Sequence, residues 1–161
     1  MKKAFALITM ICILVSLFPI AATSNDCDTY LSEDIQRYCI EIGEEYGICA
    51  ELLMAIVETE SSGKKDAVNG NCKGLMQISD NFHKERMERM GVTDIFDERG
   101  NIMVGADYLL ELFEEYGELP FVLDKYNGNS KAEYNYENGI LSNYAKKIMD
   151  RSEELERIHG K

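Results

Sequence analysis

The chain has 161 residues, 45% hydrophobic and 29% charged, an ordinary globular balance with enough length for one sizeable core. Its formal net charge is −12. Nucleic acid and anionic membrane surfaces both require a basic footprint, so this surplus argues against either as a partner. A neutral polymer such as a sugar chain is compatible, and acidity by itself also keeps an exported protein soluble.

In chain order, the first predicted element is a secretory signal. Lys2 and Lys3 form a basic start, Ala4 to Phe18 is apolar, and Pro19 breaks the run before small residues at Ala21, Ala22, Thr23 and Ser24. The apolar stretch is short for a membrane-spanning helix. The expected division is residues 1–24 as signal peptide, cleaved near Ala22–Ser24, and 25–161 as one exported domain with no membrane attachment after cleavage.

Five cysteines occur, and Cys12 belongs to the signal. Cys27, Cys39, Cys49 and Cys72 form an even set, which in a small exported protein favours disulfides. Pairing Cys49 with Cys72 is preferred, since one precedes the helix ending at Glu60 and the other precedes the Gly74 run. Such a bridge would contribute roughly 3 kcal/mol, leaving Cys27 for Cys39. Reduced, buried thiols are the second reading. Metal binding ranks third, because no Cys-x-x-Cys pair exists and the histidines are His83 and His159. No metal or other cofactor is expected.

The remainder reads as helices without a convincing strand pair. The first starts at Ser32 as N-cap, buries Ile35, Tyr38, Cys39, Ile42 and Tyr46, and stops at Gly47. The second covers Ala50 to Ser61. A third runs from about Asp80 to Met90 and a fourth from about Asn101 to Tyr116. A short one begins at Pro120 and ends at Tyr126. Asn127-Gly128-Asn129-Ser130 is a loop. The last helix covers about Ser142 to Ile158, with Tyr144, Ile148, Leu155 and Ile158 inward. The fold class is all-α, one compact domain.

Glu60 carries most of the chemical information. It lies four residues from Ile56 and seven from Leu53, on the face that packs inward, while Glu58 points to the other side. A free glutamate has a pKa near 4.3, whereas a general acid at neutral pH wants about 6 or more. Desolvation against Leu53, Ile56 and Met76 supplies such a shift without a partner charge. The bland reading is a helix-end carboxylate paired with Lys64, which Ser61-Ser62-Gly63 disfavours by ending the helix. His83 reads as a surface or cap residue. With no Trp in the chain, any ring stacking on sugar falls to Tyr or Phe, with Tyr134, Tyr136 and Tyr144 as candidates.

Glu60-Ser61, Gly74-Leu75-Met76-Gln77, Asn101 with Gly105 and Tyr108-Leu109, and Tyr126-Asn127-Gly128 stand in an order that resembles the soluble (SLT-like) lytic transglycosylases of the goose-type lysozyme superfamily. The resemblance spans roughly residues 45 to 150. It implies a lysozyme-like helical domain that cleaves the β-1,4 bond between N-acetylmuramic acid and N-acetylglucosamine in peptidoglycan, leaving 1,6-anhydro ends. It implies Glu60 as the sole acid/base, with Gln77, Met76, Tyr126, Asn127, Asn69 and Ser79 toward substrate. The Tyr126 hydroxyl would bond to the Glu60 carboxyl.

Two departures bear on the outcome. Asn69 stands where many relatives carry Ser, and an Asn there could bond to Glu60. Ser79 stands where goose-type lysozymes carry an Asp that positions water, which favours the non-hydrolytic route, although Asp80 is next door. A goose-type muramidase and a catalytically silent glycan-binding module are the alternatives. The resemblance further implies a monomer in a bacterial envelope or outside it, with peptidoglycan strands as partner and a secretion or conjugation apparatus as a second one.

Overall fold

The computed structural model describes residues 29–161, so the expected signal peptide, its expected cleavage region and Cys27 lie outside the described residues. Helix α1 (Glu33–Tyr46) begins at the Ser32 N-cap, whose hydroxyl accepts from the Ile35 amide, and ends at Gly47 in the left-handed region. Helix α2 (Ala50–Ser61) follows after a tight corner and buries every residue from Ala50 to Glu58. A helix that is apolar nearly all round belongs in the middle of a domain. Accordingly α2 packs between α1 and α7, and α1 closes its other side against α4.

After α2 the chain forms a three-stranded antiparallel sheet, β1 (Val68–Asn69), β2 (Cys72–Lys73) and β3 (Ile78–Ser79), in that order. The register pairs Asn69 with Cys72 and Cys72 with Ser79. This corrects the expectation of no strand pair: each strand has two residues, too few for alternation to show in sequence. Helix α3 (Lys84–Met90) starts four residues later than expected, because Asp80 to His83 make the turn out of β3. Helix α4 (Glu98–Tyr116) starts earlier, at an Asp97 N-cap that accepts from the Gly100 amide at 2.7 Å. Helix α5 (Leu119–Tyr126) carries Pro120 in its first turn. A six-residue α6 (Ala132–Glu137) was not expected, and α7 (Asn143–Ile158) starts from the Ser142 N-cap.

The preferred disulfide is not formed: Cys39, Cys49 and Cys72 are free thiols. Cys49 caps the start of α2, while Cys72 sits in the sheet beyond its end. Twelve helical residues separate those ends by about 18 Å, whereas bridged Cα atoms lie within about 7 Å. Cys39 is fully buried in the core, and burial pushes its thiol up to about 12. The surface reading of His83 also fails. Its ring is buried against Tyr108 at 4.6 Å, and its Nδ1 lies 3.2 Å from Nη1 of Arg86.

Candidate active site

The site is assembled by one buried asparagine on α4. The Asn101 side chain is 0% exposed; its Oδ1 accepts from the Met76 amide at 2.8 Å, and its Nδ2 donates to the Lys73 and Ile95 carbonyls at 3.0 and 2.8 Å. The Met76 and Lys73 bonds hold the turn between β2 and β3 against α4, and the Ile95 bond ties in the loop that precedes α4. Gly74 sits in the left-handed region, and a Cβ there would meet Asn101 Nδ2 at 2.3 Å. One helical turn beyond Asn101, a Cβ on Gly105 would meet the Met76 sulfur at 2.5 Å. The motif glycines are thus where the turn and α4 touch.

Met76, fixed in this way, is fully buried and turns its carbonyl toward α5. The Tyr126 hydroxyl donates to it at 2.8 Å, which joins the end of α5 to the turn. This differs from the expected bond to Glu60. The Tyr126 ring lies 5.5 Å from Tyr108, and burial, with the nearby Glu60 charge, pushes its hydroxyl well above the usual tyrosine range.

The bond to Glu60 comes from α7. Tyr144, in the first turn of that helix, donates its hydroxyl to Glu60 Oε1. Sequence reading placed Tyr144 on the inward face of the last helix and as a ring-stacking candidate, not as a partner of Glu60. Its aim depends on a small polar network: the Ser142 hydroxyl receives the Ala145 amide at 3.0 Å and donates to Asp124 Oδ1, while Asn135 donates to Asp124 Oδ2 at 2.9 Å. Buried Asp124 therefore joins α5, α6 and the start of α7.

Glu60 itself is half-buried near the end of α2. Burial raises its pKa above the ordinary glutamate value; the Tyr144 hydrogen bond and the Lys147 charge pull it back without cancelling the rise. Ser62, left-handed at φ 55°, turns the chain off the helix axis before Lys64 could face the carboxyl. Glu58 faces the other side, as expected from its spacing. It is buried between Thr29, 2.5 Å from Oε1, and Arg151, whose Nε and Nη2 donate at 2.6 and 3.1 Å.

The other expected residues surround this centre unevenly. Gln77 is half-buried in the left-handed region at φ 50°, and its amide donates to the Gly74 and Ala67 carbonyls at 2.9 and 3.2 Å. Its donors hold the loop. Asn69 lies exposed on β1 and does not bond to Glu60. Ser79, on β3, uses its carbonyl to receive the Phe82 and His83 amides. Asn127 caps α5 through its backbone and is exposed. Asp80 is tied to Lys73 at 2.5 Å, and that hydrogen bond holds its carboxyl below the usual aspartate range. Tyr134 and Tyr136 stand exposed on α6.

Residues 37–150 match the transglycosylase SLT domain family. The chain belongs to that family. As an SLT-family protein it is a peptidoglycan lytic transglycosylase with a lysozyme-like helical fold. Among relatives, the invasion protein IagB of Salmonella typhi is 31% identical over 121 residues, covering 70% of this chain and 73% of that protein. The transglycosylase of Enterobacteria phage PRD1 is 33% identical over 87 residues, 53% of this chain and 31% of its own length. Protein IpgF of Shigella flexneri is 46% identical over 57 residues, 32% of this chain and 37% of that one. The structure of an inactive variant of the lytic transglycosylase Slt from Pseudomonas aeruginosa superposes with a TM-score of 0.66 at 17% identity, over 78% of this chain and 24% of the larger one. Among the described residues no helix is long and apolar enough to cross a membrane.

Proposed function

We propose that this SLT domain cleaves the β-1,4 bond between N-acetylmuramic acid and N-acetylglucosamine with Glu60 as its single acid/base, releasing 1,6-anhydromuramic ends. The observation that carries the proposal is the Glu60 carboxyl itself: half-buried, raised above the glutamate range by desolvation, and held at one oxygen by Tyr144. Because Tyr144 occupies Oε1, the transferable proton belongs on Oε2. That proton passes to the glycosidic oxygen, which leaves as the 4-hydroxyl of N-acetylglucosamine. The muramyl N-acetyl group assists at the anomeric carbon. Glu60, now ionised, takes the proton from the 6-hydroxyl as O6 closes on C1. Proton and bond counts balance without water, in the substrate-assisted manner of the exceptions to two-carboxylate glycosidases.

The neighbouring carboxylates favour this single-residue scheme. Glu58 is locked to Arg151, and Asp80 is locked to Lys73, so neither is a ready partner for positioning water. Glycan contacts are assigned to Met76, Gln77, Ser79, Tyr126, Asn127 and Asn69 around the turn that Asn101 builds. Export by the N-terminal signal would deliver the domain to the wall. Similarity to invasion proteins supports local wall opening for an envelope-spanning apparatus as its setting.

Digestion of purified sacculi followed by mass spectrometry tests the reaction. Anhydro ends, one water lighter than reducing ends, are expected from the native enzyme and none from Glu60→Gln. Reducing ends would instead assign a muramidase, and glycan binding without products would assign a silent binding module.

A further inference from the structure

On α5 two faces do different work. Tyr126 reaches the Met76 carbonyl, while Asp124 points about 200° away around the helix and faces α6. On that second face, Pro120 and Phe121 form one wall of a cavity of about 250 Å³; Ala132 and Tyr136 of α6, with Ile140 and Leu141, form the others. Glu60, Tyr144, Tyr126 and the turn at Met76 do not line it, although Asp124 and Asn135 at its base belong to the network behind Tyr144.

The surface around this cavity is unusually apolar for a chain that handles a polar polymer. Tyr134, Tyr136, Ile140 and Leu141 are 59, 52, 46 and 44% exposed within eight consecutive residues. The Phe121 and Tyr136 rings stack at 4.6 Å and 10° between planes, giving the cavity a rigid aromatic side. Its interior polar groups are already engaged, since Asp124 and Asn135 bond to each other. A sugar would find few free donors or acceptors there. The volume falls below the roughly 300–1,000 Å³ of small-molecule pockets and suits one or two apolar side chains.

The rim is acidic. Glu118 lines the cavity, and Glu133 and Glu137 flank the exposed tyrosines on α6. Of the cations nearby, Lys125 is engaged with Glu133 at 2.5 Å and lies over the Tyr116 and Phe121 rings, and Lys131 stands exposed at the N-cap of α6. Set in a chain of net charge −12, this rim repels acidic partners and anionic lipid and favours basic ones. We propose that the α5–α6 cavity is a docking site for a second protein, through a segment that presents a large apolar side chain flanked by lysine or arginine.

Fluorescence anisotropy of a labelled amphipathic Leu/Lys peptide against the full exported chain tests this, with a Leu/Glu peptide of the same spacing as the control. Saturable binding of the Leu/Lys peptide is expected, weakened about tenfold by Tyr136→Ser, which removes the aromatic wall, and by Glu118→Lys, which reverses the rim charge. Tyr136→Phe should keep the affinity. Glu118 is exposed and contributes no side-chain cap to α5, so Glu118→Lys should fold and cleave peptidoglycan at the native rate. Equal binding of the Leu/Glu peptide, or native affinity in both disrupting variants, overturns the proposal. So does Tyr136-dependent partitioning onto zwitterionic vesicles, which would make the patch a lipid contact.

Discussion

Glu51 in the first turn of α2 and Glu60 near its last residue are both drawn out of water by the same helix, yet their acidities diverge. Burial alone would raise Glu51, but Cys49, Lys161 and His159 all bond to its carboxylate and hold it at about 2. At Glu60 burial also comes first, and one tyrosine with one nearby lysine fails to offset it. Hydrogen-bond donors surround the structural carboxylates, with Lys161 among them at Glu51 and Arg151 at Glu58. The difference teaches that burial makes a buried acid either a clamp or a proton donor according to the donors placed around it.

The sharpest way to break the comparison is to exchange the two kinds of carboxylate by mutation. Glu60→Gln should lower peptidoglycan cleavage by about 10²–10⁴-fold, the range for removing a general acid, while leaving the melting temperature unchanged or higher. Glu58→Ala should do the reverse. It leaves Arg151 facing a buried gap and should cost about 2–3 kcal/mol in urea unfolding, below the range for a fully buried pair because Arg151 remains 20% exposed. If Glu58→Ala abolished cleavage at full stability, the division of labour proposed for α2 would be wrong.

Glu51→Gln is the next smaller effect. The clamp joins α2 to the C-terminal residues His159 and Lys161 at 2.8 Å each, and losing it should cost about 1–3 kcal/mol near neutral pH. Its pH signature has a definite sign. A carboxylate whose folded pKa is depressed contributes fully above its ordinary value near 4.5, and that contribution fades as pH falls toward about 2. The native chain and Glu51→Gln should therefore differ in chemical stability at pH 7 and converge in that acid window. A gap that persists at the acid end would show that packing, not charge, holds the C-terminus.

The helices that frame these carboxylates were legible because their signals are local. Ser32 and Gly47 stand at the predicted caps, α7 begins one residue after the expected Ser142, and the Ile35–Cys39–Ile42 stripe is buried as its spacing requires. That Glu58 and Glu60 point to different sides of α2 follows from helical period, but the period does not show that both sides are covered, Glu58 more deeply than Glu60. The sheet was not legible, since two-residue strands carry no period, and neither was α6 after the Asn127 loop. Tyr144 was read only as a ring because its partner lies 84 residues away, and no spacing rule reaches across that distance. The resemblance directed attention to Tyr126 instead, whose hydroxyl turns to the Met76 carbonyl. Cys49 and Cys72 misled for the opposite reason: Cys49 starts α2, whereas Cys72 lies in the sheet beyond its far end.

Tyr144→Phe sharpens the Glu60 side of the comparison. The hydroxyl bond lowers the carboxyl pKa, so its removal lets burial act with less opposition. Because the first step needs the protonated acid, the fall in kcat/KM on the alkaline side should move to higher pH. The rate below that limb should drop by about tenfold through lost orientation, a loss of the size of one hydrogen bond. A uniform loss of rate with an unmoved limb would mean that Tyr144 only supports the fold.

Lys147→Ala should give the smallest change and the cleanest separation of charge from geometry. Lys147 follows Tyr144 by three positions on α7, is exposed, and acts on Glu60 through its field. Removing it should shift the alkaline limb in the same direction as Tyr144→Phe, by less, and without the loss of rate. Solvent and salt screen an exposed charge, with a Debye length of about 8 Å at physiological ionic strength and about 3 Å at 1 M. The native profile at high salt should therefore approach that of Lys147→Ala, while the Tyr144→Phe shift survives the same salt because its bond is a direct, partly buried contact. If salt moves both variants alike, long-range charge rather than the tyrosine governs the Glu60 proton, and the contrast between the two ends of α2 reduces to how many cations each one sees.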